Sequence, residues 1–195
     1  MPSSICVYCS SSDAVAADYV QAAEELGREI GARGMSLVYG GTSVGLMGRV
    51  ARAAQANGAP VVGVIPESIE SRGLAFAGCD ELIVTRDLRD RKAVMEDRAD
   101  AFIALPGGFG TLEEVLEVLT LKQLQLHSKP IVLLNIAGFY DPLLAFFERL
   151  FEDRFAKPES CVYYYAAPDV TSAFEYLNGY APPKPVAKWF APIPD

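Results

Sequence analysis

Short runs of consecutive apolar residues alternate along this chain with longer stretches whose apolar positions recur every three or four residues. The first pattern is that of a strand buried on both faces. The second is that of a helix laid against a sheet. Ile5–Cys9 opens the series, and a helix follows to about Arg33, with Val15, Tyr19, Ala23, Leu26 and Ile30 at helical spacing. Ser12 or Asp13 would cap its start and Gly34 ends it. Further strands are expected at Ser36–Tyr39, Val61–Pro66, Glu81–Thr85, Ala101–Leu105, Ile131–Leu134 and Cys161–Tyr165. Helices are expected through Arg49–Asn57, then at Asp87–Arg98, Thr111–Leu126, Asp141–Phe151 and Asp169–Asn178. Between them, Glu67–Asp80 carries glycines and mixed polarity and reads as an irregular loop that covers a site. Regular alternation of this kind predicts a Rossmann-like α/β fold, an open and mainly parallel sheet with helices on both faces. Residues 1–180 make a single domain in this reading, and 181–195, with five prolines and no period, form an extended tail.

Three polar or glycine-rich turns follow strands and therefore share one rim of the sheet, where ligands of open α/β folds bind. Pro106-Gly107-Gly108-Phe109-Gly110-Thr111 joins a strand to a helix, and such a turn offers backbone N–H groups and a favourable dipole to a phosphate. Thr111 is a candidate N-cap there, and Thr111-Leu112-Glu113-Glu114 matches a capping box. Gly40-Gly41-Thr42-Ser43-Val44-Gly45 makes a second strand–glycine–helix junction, of neither P-loop nor G-x-G-x-x-G type. Two such junctions point to a shared anion pocket, or to two tight turns with close helix packing. Ser10, Ser11 and Ser12 form the third turn, suited to phosphate or ribose contacts as well as to capping.

Charge narrows the partners. A formal net charge of −8 and an isoelectric point near 4.7 argue against nucleic acid and anionic membrane surfaces, whose readers carry basic patches. A small anionic ligand stays compatible with glycine turns and a few arginines. No long apolar span or basic leader is visible, so the expected location is cytoplasmic. Cys6 and Cys9 form a C-x-x-C, but a strand turns them to opposite faces, which disfavours a redox pair or a zinc site. His127, the single histidine, reads as a solvated loop residue, and one histidine there builds neither a catalytic triad nor a His-rich metal site.

Among charged residues, Glu114 falls beside Val118 and Leu121 on its helix, whereas Glu113 and Glu117 mark a more polar side. Cap and catalyst are both open for Glu114. Arg91 and Lys92 lie one turn from the apolar Leu88 and Met95, which fits either a functional pair or snorkelling side chains and an i, i+4 pair of Lys92 with Glu96.

PGGFGTLEE (Pro106–Glu114) resembles the P-G-G-x-G-T-x-x-E signature of the LOG ("Lonely guy") family, cytokinin riboside 5′-monophosphate phosphoribohydrolases often mislabelled lysine decarboxylases. The likeness spans roughly positions 4–178 and includes CVYCSSS, LVYGGTSVGLMG, VVGVIP, RKAVM, DAFIALPGG and KPIVLLN. The resemblance implies hydrolysis of the N-glycosidic bond of N6-substituted adenosine 5′-monophosphates, without metal or cofactor. Nothing suggests a pyridoxal phosphate lysine. It implies Arg91 and Glu114 as the catalytic pair. Gly107, Gly108, Phe109, Gly110 and Thr111 would hold the phosphate. Gly40, Gly41, Thr42 and Ser11 would complete the nucleotide pocket, with Lys92, Met95, Glu113 and Thr120 as further substrate contacts. A homodimer is implied, with the Leu121, Leu124 and Leu126 end of the long helix as a candidate interface. A broader nucleotide 5′-monophosphate nucleosidase and a non-catalytic nucleotide or cofactor carrier are the alternatives. The chain departs from the family pattern at Ser10, at Ser71-Arg72-Gly73-Leu74, where a substrate-contacting glutamate is absent at Gly73, and at Leu121-Lys122, which replace a common Trp-Ala pair.

Overall fold

The computed structural model describes residues 2–184 and 186. Its seven strands are β1 (Ser4–Tyr8), β2 (Ser36–Tyr39), β3 (Val61–Pro66), β4 (Glu81–Thr85), β5 (Ala101–Ala104), β6 (Ile131–Leu134) and β7 (Tyr165–Ala167). The helices are α1 (Ala17–Ala32), α2 (Gly45–Ala56), α3 (Glu67–Glu70), α4 (Leu88–Asp97), α5 (Phe109–Gln123), α6 (Asp141–Glu152) and α7 (Val170–Gly179). All neighbouring strands pair in parallel, in the order β4-β3-β2-β1-β5-β6-β7. The order reverses at β1, so β1 and β5 lie side by side with Tyr8 opposite Ala104. The crevice beyond the ends of these two strands is the topological switch point.

The inner strands β1, β2, β3, β5 and β6 bury both faces, which is why they read as apolar runs, whereas the edge strand β4 is largely exposed. Ile5, Val7, Leu37 and Ile103 pack on one side with Leu26 and Ile30 of α1, Val50 of α2 and Phe174 of α7. Cys6, Tyr8, Phe102 and Leu133 pack on the other with Met95, Val115, Val118 and Phe147 of α4, α5 and α6. Cys6 and Cys9 fall in opposite cores, as strand alternation requires, and both are free thiols. Burial raises the pKa of each well above the usual thiol range, so neither is a ready nucleophile. Among the described residues no helix is long and apolar enough to cross a membrane.

Four local expectations differ from the structure. α1 begins at Ala17 without a side-chain cap, because Ser12 and Asp13 are engaged elsewhere. The Ser12 hydroxyl accepts the N–H of Ala14, and Asp13 accepts that of Gly45 at the start of α2. The expected strand at Cys161–Tyr165 is largely a 3-10 turn, Pro158–Tyr163, and pairing with β6 begins only at Tyr165. Pro158 favours the helical turn, and the Tyr163 carbonyl accepts from the Lys122 side chain instead of a sheet neighbour. Part of the Glu67–Asp80 loop is the single-turn helix α3, and the loop is stitched to the β2–α2 turn by an isolated bridge between Thr42 and Ala75. His127 is half-buried, with Nε2 on the Val118 carbonyl at 2.8 Å and Nδ1 accepting the Lys129 N–H at 3.1 Å. Its burial lowers its pKa, and both ring nitrogens serve the backbone of the α5–β6 connection. Of the expected tail, residues 185 and 187–195 lie outside the described part of the chain.

Candidate active site

A cavity of about 650 Å³ opens at the switch point. Its walls come from the turn after β1 (Cys9, Ser10, Ser11, Ser12), the β2–α2 junction (Gly40, Thr42, Val44, Met47) and the start of α5 (Gly108, Phe109, Gly110, Thr111). Arg91 and Glu114 form its floor, and Ile69, Arg72 and Leu74 of the loop after β3 close one side. That loop forms one wall of the cavity.

The two glycine junctions do different work. At α2 the terminal N–H groups are already occupied: Gly45 donates to the Asp13 carboxylate, and Leu46 and Met47 donate to the Ser10 carbonyl. No anion has room there. At α5 the cap is Gly108, with no side-chain cap bond. The first backbone bond recorded within its opening turn is that of Leu112 to the Gly108 carbonyl. The N–H groups of Phe109, Gly110 and Thr111 are the orphan donors of a helix start, and they line the cavity. Thr111 is therefore inside α5 rather than its N-cap. A Cβ on Gly107 would sit 2.1 Å from the Thr111 hydroxyl, so glycine is required for that threonine to fold back over the turn.

Glu114 is not a capping carboxylate either. Its Oε1 accepts from Arg91 Nη1 at 2.7 Å, and both residues are buried. Arg91 Nε donates to the Val64 carbonyl at 3.0 Å, which fixes the guanidinium plane under β3. Its Nη2 passes over Gly40, where a Cβ would come within 2.1 Å. The second glycine junction is thus the berth of Arg91, and close approach is the reason for its glycine. Burial raises the Glu114 pKa above the usual carboxylate range, against the pull of the Arg91 charge. A buried carboxylate and a guanidinium with one free face are a pair able to orient a water and stabilise changing charge.

Of the residues expected at the site, Ser11, Gly40, Thr42, Arg91, Gly108, Phe109, Gly110, Thr111 and Glu114 meet around this cavity. Gly41 and Gly107 belong to the same turns without lining it. Lys92 and Glu113 stand behind the floor, paired with each other, and Glu117 accepts from Lys92 at 2.7 Å. The anticipated Lys92–Glu96 pair does not form, since both partners of Lys92 come from α5. Burial disfavours the Lys92 ammonium, but the two carboxylates outweigh it and raise its pKa. Met95 is fully buried in the core beneath the sheet, away from the cavity. Thr120 donates to the Leu116 carbonyl and lines a separate apolar groove between α5 and α6. Val44, Met47, Ile69, Arg72 and Leu74 line the cavity without having been expected as site residues. Val44 and Met47 lie in the LVYGGTSVGLMG stretch and Arg72 and Leu74 in Ser71-Arg72-Gly73-Leu74, so only Ile69 had no signal beyond the mixed polarity of its loop. Among the described residues, no cluster of three or more His, Cys, Asp or Glu side chains is arranged to hold a metal ion.

The family model described as "Possible lysine decarboxylase" matches residues 47–177. Cytokinin riboside 5′-monophosphate phosphoribohydrolase LOG3 of Arabidopsis thaliana is 44% identical over 178 residues, covering 91% of this chain and 83% of that protein. Cytokinin riboside 5′-monophosphate phosphoribohydrolase LOG of Oryza sativa subsp. japonica is 46% identical over 178 residues, covering 91% and 74%. Among solved structures, a Moco carrier protein from Chlamydomonas reinhardtii superposes with a TM-score of 0.69 at 26% identity, covering 90% of this chain and 94% of its own. The molybdenum cofactor binding protein of Rippkaea orientalis, at 24% identity and a TM-score of 0.70, shares the fold over 90% and 94%. With a switch-point cavity, an open α5 start and the Arg91–Glu114 pair beneath it, this chain belongs to the family of the cytokinin riboside 5′-monophosphate phosphoribohydrolases.

Proposed function

We propose that this protein hydrolyses the N-glycosidic bond of N6-substituted adenosine 5′-monophosphates, giving free base and ribose 5-phosphate. The observation that carries the reading is the buried Arg91–Glu114 pair below a cavity with unsatisfied helix N–H groups on its wall. The phosphate takes the α5 start, with Gly108, Gly110 and Thr111 as its cradle. Ser11 and Thr42 face the ribose, and Val44, Met47, Ile69 and Leu74 supply an apolar wall for the base and its substituent. Phe109, 93% exposed at the mouth, is a flat surface that substrate entry would cover.

Cleavage of such a bond passes through an oxocarbenium-like ribosyl transition state. The Glu114 carboxylate stabilises the positive charge at C1′ and orients the water that adds there. The Arg91 guanidinium, through its free face, stabilises the electron pair that leaves with the base nitrogen, which then takes a proton. One water is consumed and one C–N bond is broken. Lys92, Glu113 and Met95 support the pair from behind, and Gly41 and Gly107 shape the turns. The working unit is the domain of residues 1–180 in the cytoplasm, as a homodimer that uses the exposed Leu124 and Leu126 at the end of α5.

The test is release of base, resolved by chromatography, from N6-isopentenyladenosine 5′-monophosphate and from AMP. Release from the first in clear excess over the second supports the assignment. Equal rates favour a broad nucleosidase. Binding without release from either would refute hydrolysis.

A further inference from the structure

We propose that a second cavity, beside the carboxyl end of α5, is a binding site for a small organic monocarboxylate anchored by the Lys122 ammonium. The cavity measures about 310 Å³, is lined by Lys122, Gln125, His127, Ser128, Tyr163 and Pro183, and shares no lining residue with the nucleotide cavity. Its size suits a compact organic acid.

Lys122 is the unexplained group of this fold. It is only 3% exposed, yet among the described residues no carboxylate lies within ion-pair distance of it. The other cations enclosed by the fold behave differently: the buried Arg91 pairs with Glu114, and the partly buried Lys92 with Glu113 and Glu117. Nζ of Lys122 donates to the Tyr163 carbonyl at 2.9 Å and stands 5.0 Å from the centre of the Tyr180 ring. An ammonium has three donors, and one is used on a protein acceptor. Buried charges are normally paired, so an ammonium lining a cavity without a counter-ion is matched by an anionic ligand.

The surroundings select the class of anion. His127 has both nitrogens committed to backbone groups and is a neutral wall. Gln125 and Ser128 add side-chain donors of no charge. A single ammonium therefore balances one negative charge. The carbonyl end of α5 lies nearby and disfavours a dianion such as phosphate. The rings of Tyr163 and His127 suit a flat acid. Burial without a counter-ion pushes the Lys122 pKa down to about 8, and a bound carboxylate would draw it up again.

Isothermal titration calorimetry of the full chain with benzoate tests the site, with acetate and inorganic phosphate as comparison. Expected is one benzoate per chain, weakened about tenfold or more in Lys122→Met. Circular dichroism and base release in that variant should match the parent, since Lys122 is remote from the nucleotide cavity. Ser128→Trp, which fills the cavity and leaves the ammonium in place, should abolish binding as well, and it serves if Lys122→Met does not fold. No benzoate heat, equal binding by both variants, or phosphate binding as tight as benzoate would each overturn the assignment.

Discussion

Removing Arg91 while leaving Glu114 tests the heart of the site. The two charges meet at 2.7 Å with both side chains only 9% exposed. At an effective dielectric of about 20, charges at that distance attract by about 6 kcal/mol before desolvation is counted. Burial opposes most of this gain, so the pair adds little net stability, but a lone survivor is costly. Arg91→Met should destabilise the protein by about 3–5 kcal/mol at neutral pH, because a carboxylate then stays buried unpaired. The penalty has a pH signature. Burial already raises the Glu114 pKa, and losing Arg91 raises it further. A group whose folded pKa exceeds its unfolded value is most favourable below the unfolded pKa, and its contribution is lost as pH rises through the folded one. The Arg91→Met defect should therefore shrink as pH falls toward about 5. The double variant Arg91→Met/Glu114→Leu should lose less stability than Arg91→Met alone, with a coupling energy of about 2–3 kcal/mol. Urea unfolding across pH measures all of this, and base release should vanish in every variant. An Arg91→Met protein as stable as the parent, or one that still releases base, would refute both the buried pairing and its role.

Three further outcomes follow from the geometry. Gly40→Ala places a methyl group 2.1 Å from Arg91 Nη2 and 2.8 Å from Met47 Sδ, so the guanidinium must shift. Base release should fall about 100-fold while the urea midpoint moves little, and unchanged turnover would show that Arg91 needs no such berth. Lys92→Met removes the clamp between α4 and α5. It should cost about 1 kcal/mol and lower kcat more than it raises KM, whereas a rise in KM alone would make Lys92 a substrate contact instead. For Lys122 the sign is opposite to that of Glu114. Its folded pKa, about 8, lies below its unfolded value, so the unfolded chain binds more protons and stability rises with pH. His127, whose pKa burial lowers, and Tyr180, whose pKa burial raises, face it without adding a charge near neutral pH. Relative to Lys122→Met, the parent should gain about 2 kcal/mol between about pH 7.5 and pH 10. The comparison between the two proteins cancels the buried thiols and phenols, and a flat difference would show that Lys122 is well solvated.

The sequence by itself determined the architecture. Uniformly apolar runs such as Ala101–Ala104 and Ile131–Leu134 can only be strands covered on both faces, and the amphipathic stretches between them supply the cover. The glycine turn at Gly107–Gly110 and the acidic balance pointed to a small anionic ligand at one rim, and the length of the shared motifs pointed to the family. Roles that depend on which segments meet were beyond local pattern. Thr111 and Glu114 satisfy the spacing of a capping box, yet the chain is capped at Gly108, because Glu114 finds a buried arginine 23 residues away. Gly40-Gly41 looked like a second phosphate turn, but Asp13 and Ser10 fill the α2 start, and Gly40 makes room for Arg91. Cys161–Tyr165 had strand composition, but Lys122 takes a carbonyl there that a sheet would have used. Lys92, Met95 and Thr120 carry nothing in their neighbours that separates a lining position from a clamp, a core position or a remote groove. Local pattern reports which face of an element is apolar. Which partner occupies a polar group is settled only when the chain closes, since the free energy of a buried charge or N–H depends on atoms distant in sequence.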